Sequence, residues 1–123
     1  MKNHPKHIRQ RTFEFALRTI KLCNELNKNP GVCRGISRQL FKAGTSVGAN
    51  TEEAQAAQSR ADFISKNSIA LKDARESHFW LRVLIASEIM SERKLADLRN
   101  EAEELMKILG SIVVSAKRNQ PTL

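Results

Sequence analysis

Arg34, Arg38 and Lys42 recur every four residues. On a helix that spacing makes one stripe drifting slowly around the axis. Arg11, Arg18 and Lys21 stand upstream on what reads as a separate helix. Clustered guanidinium and ammonium groups neutralise phosphates, so these six are the candidate nucleic-acid contacts. The charge is unevenly placed. Residues 1–42 hold ten Lys/Arg against Glu14 and Glu25, while residues 43–123 hold eleven of each sign, so the whole net charge of +8 sits on the first third. Such a footprint fits a polyanionic partner, RNA or DNA, held mainly through its backbone and with weak sequence specificity. With five Phe, one Trp and no Tyr, base stacking is not the obvious mode. Two bland readings compete: a solvated face that aids solubility, and neutralisation of acids on later helices.

The other reactive side chains assemble into less. His4 and His7 with Cys23 or Cys33 lack a second pair at ligand spacing, and the first seven residues read as a loose tail, so no metal site is expected. His78, beside Phe79 and Trp80, reads as a packing histidine. Glu53, Asp73 and Glu76 could do acid/base work, but neither a nucleophile nor a phosphate-binding loop accompanies them. Pairing with Lys42, Lys72 or Arg75 between helices is the structural alternative. The chain reads as non-enzymatic and without a cofactor. Both cysteines are expected as reduced thiols, as suits a cytoplasmic protein. The first residues, MKNHPKHIRQR, lack the apolar stretch of a signal peptide. No run approaches the 18 apolar residues that a membrane span requires.

All these groups ride on helices. Residues 59–89 run without Pro or Gly, with Ser59 and Asp62 as a capping box. Phe63, Asn67, Ala70, Ala74, Ser77, Leu81, Leu84 and Glu88 form a heptad seam with polar groups where a core is expected. Ile69, Trp80 and Val83 form a second line. Upstream, a helix is expected over about 8–27, with Phe13, Ala16, Leu17, Ile20 and Cys23 as its inward face. Phe15, Leu22 and Leu26 then lie on nearly the opposite side. Asn29-Pro30-Gly31 stops that helix. The next runs over about 33–57 with Ile36, Leu40, Ala43, Gly44, Val47, Gly48, Thr51 and Ala54 inward. Its small residues imply close approach of a neighbour, whose large side chains would fill the space. The last helix covers about 92–117 behind Ser91, with Leu95, Leu98, Ala102, Leu105, Leu109, Ile112 and Ala116 inward and Glu101, Glu103 and Glu104 outward.

Short loops then give one domain, an all-α antiparallel up-down-up-down four-helix bundle with tails 1–7 and 118–123. In the first hairpin, facing residues should sum to about 60, and in the second to about 118, which sets Lys42 beside Glu76. Helices one and three each carry a surplus stripe. Phe15, Leu22 and Leu26 should therefore meet Ile69, Trp80 and Val83 of the next subunit, a head-to-tail contact that closes a ring.

Ser46-Val47-Gly48-Ala49-Asn50-Thr51-Glu52-Glu53 resembles an S-I/V-x-x-N-x-x-E motif. Asp62-Phe63-Ile64, then the stretch from Ile69 through Asp73 and Glu76 to Ser77, then Trp80-Leu81-Arg82 and Leu84, follow in the matching order. Together, over about residues 11–116, they resemble a bacterial four-helix bundle family. It includes proteins encoded in intervening sequences of large-subunit ribosomal RNA genes. The accessory variability determinant of diversity-generating retroelements is a related bundle. The family's usual Gly after the motif's Glu is Ala54 here. The resemblance implies structural roles for Ser46, Asn50, Glu53, Asp73 and Glu76. It also implies a homo-oligomer, typically a ring of five, with a basic surface. On the retroelement branch that surface binds nucleic acid and a reverse transcriptase. The sequence is more similar to the intervening-sequence branch.

Overall fold

The computed structural model describes residues 7–119 of the chain, so His4 lies outside the described residues. Four helices are present: α1 (Ile8–Leu26), α2 (Val32–Gln55), α3 (Arg60–Ala86) and α4 (Glu92–Arg118), with no strand among the described residues. Each helix packs on its chain neighbours, and α1 closes the ring against α4 through the thinnest of the four contacts. The architecture is the expected antiparallel four-helix bundle.

The helix ends follow local chemistry. Ser59 Oγ accepts from the Asp62 N–H at 3.0 Å, and Ser91 Oγ from the Lys94 N–H at 3.2 Å. Each satisfies a backbone donor that the first turn leaves free. Before α2 the chain turns through Gly31, whose φ of 84° is easily adopted without a Cβ. Helix α3 ends at Ala86, three residues earlier than its sequence pattern suggests. Glu88 adopts φ 63°, and the Ile89 and Met90 N–H groups both return to the Leu84 carbonyl. The apparent seam position Glu88 is thus a left-handed terminator outside the helix.

Leu40, Leu81, Leu84, Leu105 and Leu109 are fully buried at the centre, with Val47, Ala70 and Ala74. Helix α1 overturns the sequence reading. Phe15 is 0% exposed, and Leu22 and Leu26 are buried with it, whereas Phe13 is 63% and Leu17 51% exposed and Ile20 is also exposed. The three residues assigned to a subunit interface are core, and Phe13, Leu17 and Ile20 of the assigned core stripe face outward, while Cys23 of that stripe is buried as expected. The inward line is Thr12, Phe15, Thr19, Leu22 and Leu26, an alternation of three and four in which threonines occupy two places. In α4, Val113 rather than Ile112 is fully inward, as expected of a straight helix that drifts off a seven-residue repeat.

Of the buried polar residues, all but Ser37 bond their own helix. Thr12 donates to the Arg9 carbonyl, Thr19 to Phe15, Thr51 to Val47, Asn67 to Phe63 and Ser77 to Asp73. Among the described residues, no buried side-chain nitrogen or oxygen lacks a partner.

The α1–α2 register agrees with the expected sum. Cys23 and Ser37 bond each other's carbonyls, and a Cβ on Gly48 would stand 3.1 Å from the Thr12 carbonyl oxygen. A Cβ on Gly44 would stand 2.6 Å from both Thr19 Cγ2 and Oγ1. The glycines are therefore met by a threonine and by bare backbone, not by the large side chains expected. Cys23 and Cys33 are free thiols. No described helix is long and apolar enough to cross a membrane.

Candidate nucleic-acid interface

Arg34, Arg38 and Lys42 stand exposed on the outer surface of α2. Arg18 and Lys21 are exposed on α1. None of these five makes an ion pair within 4.0 Å among the described residues. The sixth candidate does. Arg11 donates two hydrogen bonds to Glu101, Nε at 2.9 Å and Nη2 at 2.7 Å, and both side chains are about one-fifth exposed. Glu101 holds the guanidinium's pKa above its ordinary value, chiefly through these hydrogen bonds. Arg11 thus closes the thin α1–α4 seam and leaves the set of free cations. Glu101, expected to face outward, is half-buried in that pair.

Four of the five free cations border two grooves. Arg34 and Arg38 border a groove between α1 and α2, with Ile20, Asn24, Asn27 and Phe41. Arg18 and Lys21 border a groove between α1 and α4, with Glu25, Lys94 and Asp97. There Lys94 is paired with Glu25. At the other end of the α1–α2 face, Arg9 holds Glu52 through two hydrogen bonds at 3.1 and 2.8 Å. Sequence periodicity could not show these inter-helix pairs, because each joins residues more than 40 positions apart.

The motif residues meet between α2 and α3. Ser46 Oγ donates to Asp73 Oδ2 at 2.5 Å, and Asn50 Nδ2 donates to Ser46 Oγ at 2.9 Å and to the Ser46 carbonyl at 3.1 Å. Burial raises the Asp73 pKa above the usual carboxylate value and nearby Glu76 adds to the rise, while the Ser46 hydrogen bond and Lys72 and Lys42 oppose it. Glu76 accepts from Trp80 Nε1 at 3.4 Å. Lys42 acts on Asp73 as a nearby charge and makes no ion pair with Glu76. Glu53 is exposed and joins no ion pair among the described residues. The Ser46 hydroxyl, held as a donor to Asp73 and an acceptor from Asn50, ties two helices together. His78 has its pKa lowered by burial and by Arg82 and Arg99, with Glu103 opposing.

On the proposed interface stripe of α3, Trp80 and Val83 pack partly buried against the chain's own core, while Ile69 is 40% exposed. Trp80 also stacks edge-on against Phe79, with ring centroids 5.0 Å apart. Phe79 itself, absent from the sequence-based interface, is 45% exposed.

Comparisons with known proteins agree with this architecture. The family model described as 23S rRNA-intervening sequence protein matches residues 6–111. A similar solved structure is that of a protein of unknown function from the S23 ribosomal protein family of Bacteroides thetaiotaomicron. It is 39% identical, with a TM-score of 0.81 over 87% of this chain and 98% of that one. No curated protein matches the sequence. The chain belongs to the 23S rRNA-intervening sequence protein family.

Proposed function

We propose that this protein is a non-enzymatic, self-associating bundle that binds structured RNA, or an RNA–DNA intermediate, through the basic surface of α1 and α2. One observation carries the reading. Arg18, Lys21, Arg34, Arg38 and Lys42 stay exposed and outside any ion pair among the described residues, although eleven acids lie in residues 43–123. Ion pairing with acids of later helices accounts for Arg11, held by Glu101 of α4, but not for these five, of which Lys42 stands near Asp73 without pairing with it. The family's link to intervening sequences of ribosomal RNA genes makes RNA the first ligand to try. A reverse transcriptase encoded nearby would favour the retroelement role instead. Asp73 and Glu76 are engaged by Ser46 and Trp80, which supports a structural rather than a catalytic use.

The test is a titration of RNA and of DNA at several salt concentrations. Binding should weaken with a log–log slope of about −0.7 to −0.9 per phosphate neutralised. Changing Arg34, Arg38 and Lys42 together to Glu should abolish it with the helical circular dichroism intact. Undiminished binding by that triple variant would remove the stripe from the mechanism.

A second reading, an interaction module with no nucleic-acid ligand, is favoured by the exposed line of Phe13 and Leu17. Self-association through that line is compatible with either reading. The family resemblance suggests five subunits.

A further inference from the structure

The groove between α1 and α2 has a composition that the basic stripe alone does not explain. It measures ≈ 500 Å³, within the roughly 300–1,000 Å³ usual for sites that seat one small ligand. Phe41, 48% exposed, and Ile20 supply its apolar surface. Arg34, Arg38 and Phe41 fall at i, i+4 and i+7 of α2 and so share one strip of that helix. Across from them, α1 and its end contribute Asn24 and Asn27. Both are exposed, and neither side-chain amide makes a hydrogen bond among the described residues.

An aromatic face, two free amides and two guanidinium groups outside any ion pair are the parts that a nucleotide engages. A base stacks on the ring, an amide's adjacent donor and acceptor match a base edge, and arginines take the phosphate. An acidic peptide would use the arginines but leave the amides and the ring without work. We propose that this groove seats one unpaired nucleotide of a structured RNA, its base on Phe41, its edge read by Asn24 and Asn27, and its phosphate held by Arg34 and Arg38. The proposal rests on the RNA-binding reading above and adds to it a preference for strands with a bulged or looped base.

The experiment measures fluorescence anisotropy of the full chain with two RNAs of equal length. One is a continuous duplex and the other carries a single-nucleotide bulge. Wild type should bind the bulged RNA about tenfold more tightly. Phe41→Ala and Phe41→Leu should both lose that preference and leave the salt slope unchanged, with melting temperature and circular dichroism checking the fold. Phe41→Leu keeps the apolar bulk and lacks only the ring. Arg34→Gln with Arg38→Gln should weaken both RNAs and shrink the slope. Equal wild-type affinity for the two RNAs, or a preference that survives Phe41→Leu, overturns the groove assignment while leaving phosphate contact by the stripe intact. No binding of either RNA at low salt overturns both readings. Displacement of the bulged RNA by micromolar adenosine monophosphate would assign the groove to a free nucleotide and overturn the proposal as stated.

Discussion

Ser46 and Asp73 show how one contact can fix a helix pair and set its pH response. The hydroxyl donates at 2.5 Å to a carboxylate whose pKa burial holds above its ordinary 3.8. The folded chain therefore keeps the Asp73 proton to a higher pH than the unfolded chain. This group's contribution is fully present below about 3.8 and is lost as pH rises through the raised folded value. Asp73→Asn still accepts from Ser46 and does not titrate. Its melting temperature should gain on wild type as pH climbs above about 4, since all other carboxylates are common to both. Parallel pH profiles would show that Asp73 titrates alike in both states. Asp73→Ala should instead be destabilised by about 1–3 kcal/mol at any pH, because the Ser46 hydroxyl loses its acceptor.

At the scale of helices, the fold was legible because two of them have a single apolar seam. Leu95 to Ala116 on α4 and Ile36 to Ala54 on α2 leave no choice of face. Helix α1 offers two, and hydrophobicity alone favours the wrong one. Phe13, Leu17 and Ile20 outweigh a rival line in which Thr12 and Thr19 hold two positions. The threonines are nonetheless right for the interior. Their hydroxyls bond carbonyls three and four residues back, and their size lets Gly44 and Gly48 approach. The glycines of α2 and the threonines of α1 are one feature, visible only when both helices are set side by side. For the same reason the candidate site was half legible. Exposed cations follow from spacing, but Arg11's partner Glu101 and the groove beneath Phe41 depend on which face of α1 turns inward. Glycine substitutions separate close approach from mere tolerance. Gly44→Ala should destabilise by about 1–3 kcal/mol, since the new Cβ meets a buried, hydrogen-bonded Thr19. Gly110→Ala, where nothing lies within 4 Å, should stabilise α4 by up to about 1 kcal/mol. Urea unfolding of both variants checks the contrast. A stabilised Gly44→Ala would mean that α1 and α2 stand further apart than the structure places them.

For the whole molecule, the outward turn of Phe13 and Leu17 changes how self-association should work. These two side chains, 63% and 51% exposed, lie on α1, while Ile69 and Phe79, at 40% and 45%, lie on α3. Trp80 and Val83 are largely spent on the chain's own core, so substituting them would test stability rather than assembly. The proposed head-to-tail contact therefore joins Phe13 and Leu17 of one subunit to Ile69 and Phe79 of the next. Two different patches that meet in this way build a ring, whereas a patch that meets its own copy builds a two-fold dimer. Paired variants distinguish them. Phe13→Glu with Leu17→Glu removes one patch, and Ile69→Glu with Phe79→Glu removes the other. All four positions are exposed, so the bundle should fold in both. In sedimentation equilibrium each variant alone should run as the 13.9 kDa chain, and wild type as a larger closed assembly. An equimolar mixture of the two variants should recover one contact and stop at two chains, because only one intact pair of patches remains. A two-fold dimer through α1 would behave differently. The α3 variant would then keep wild-type mass by itself, and mixing would add nothing. Wild type at the mass of one chain at micromolar concentration would defeat self-association in either form.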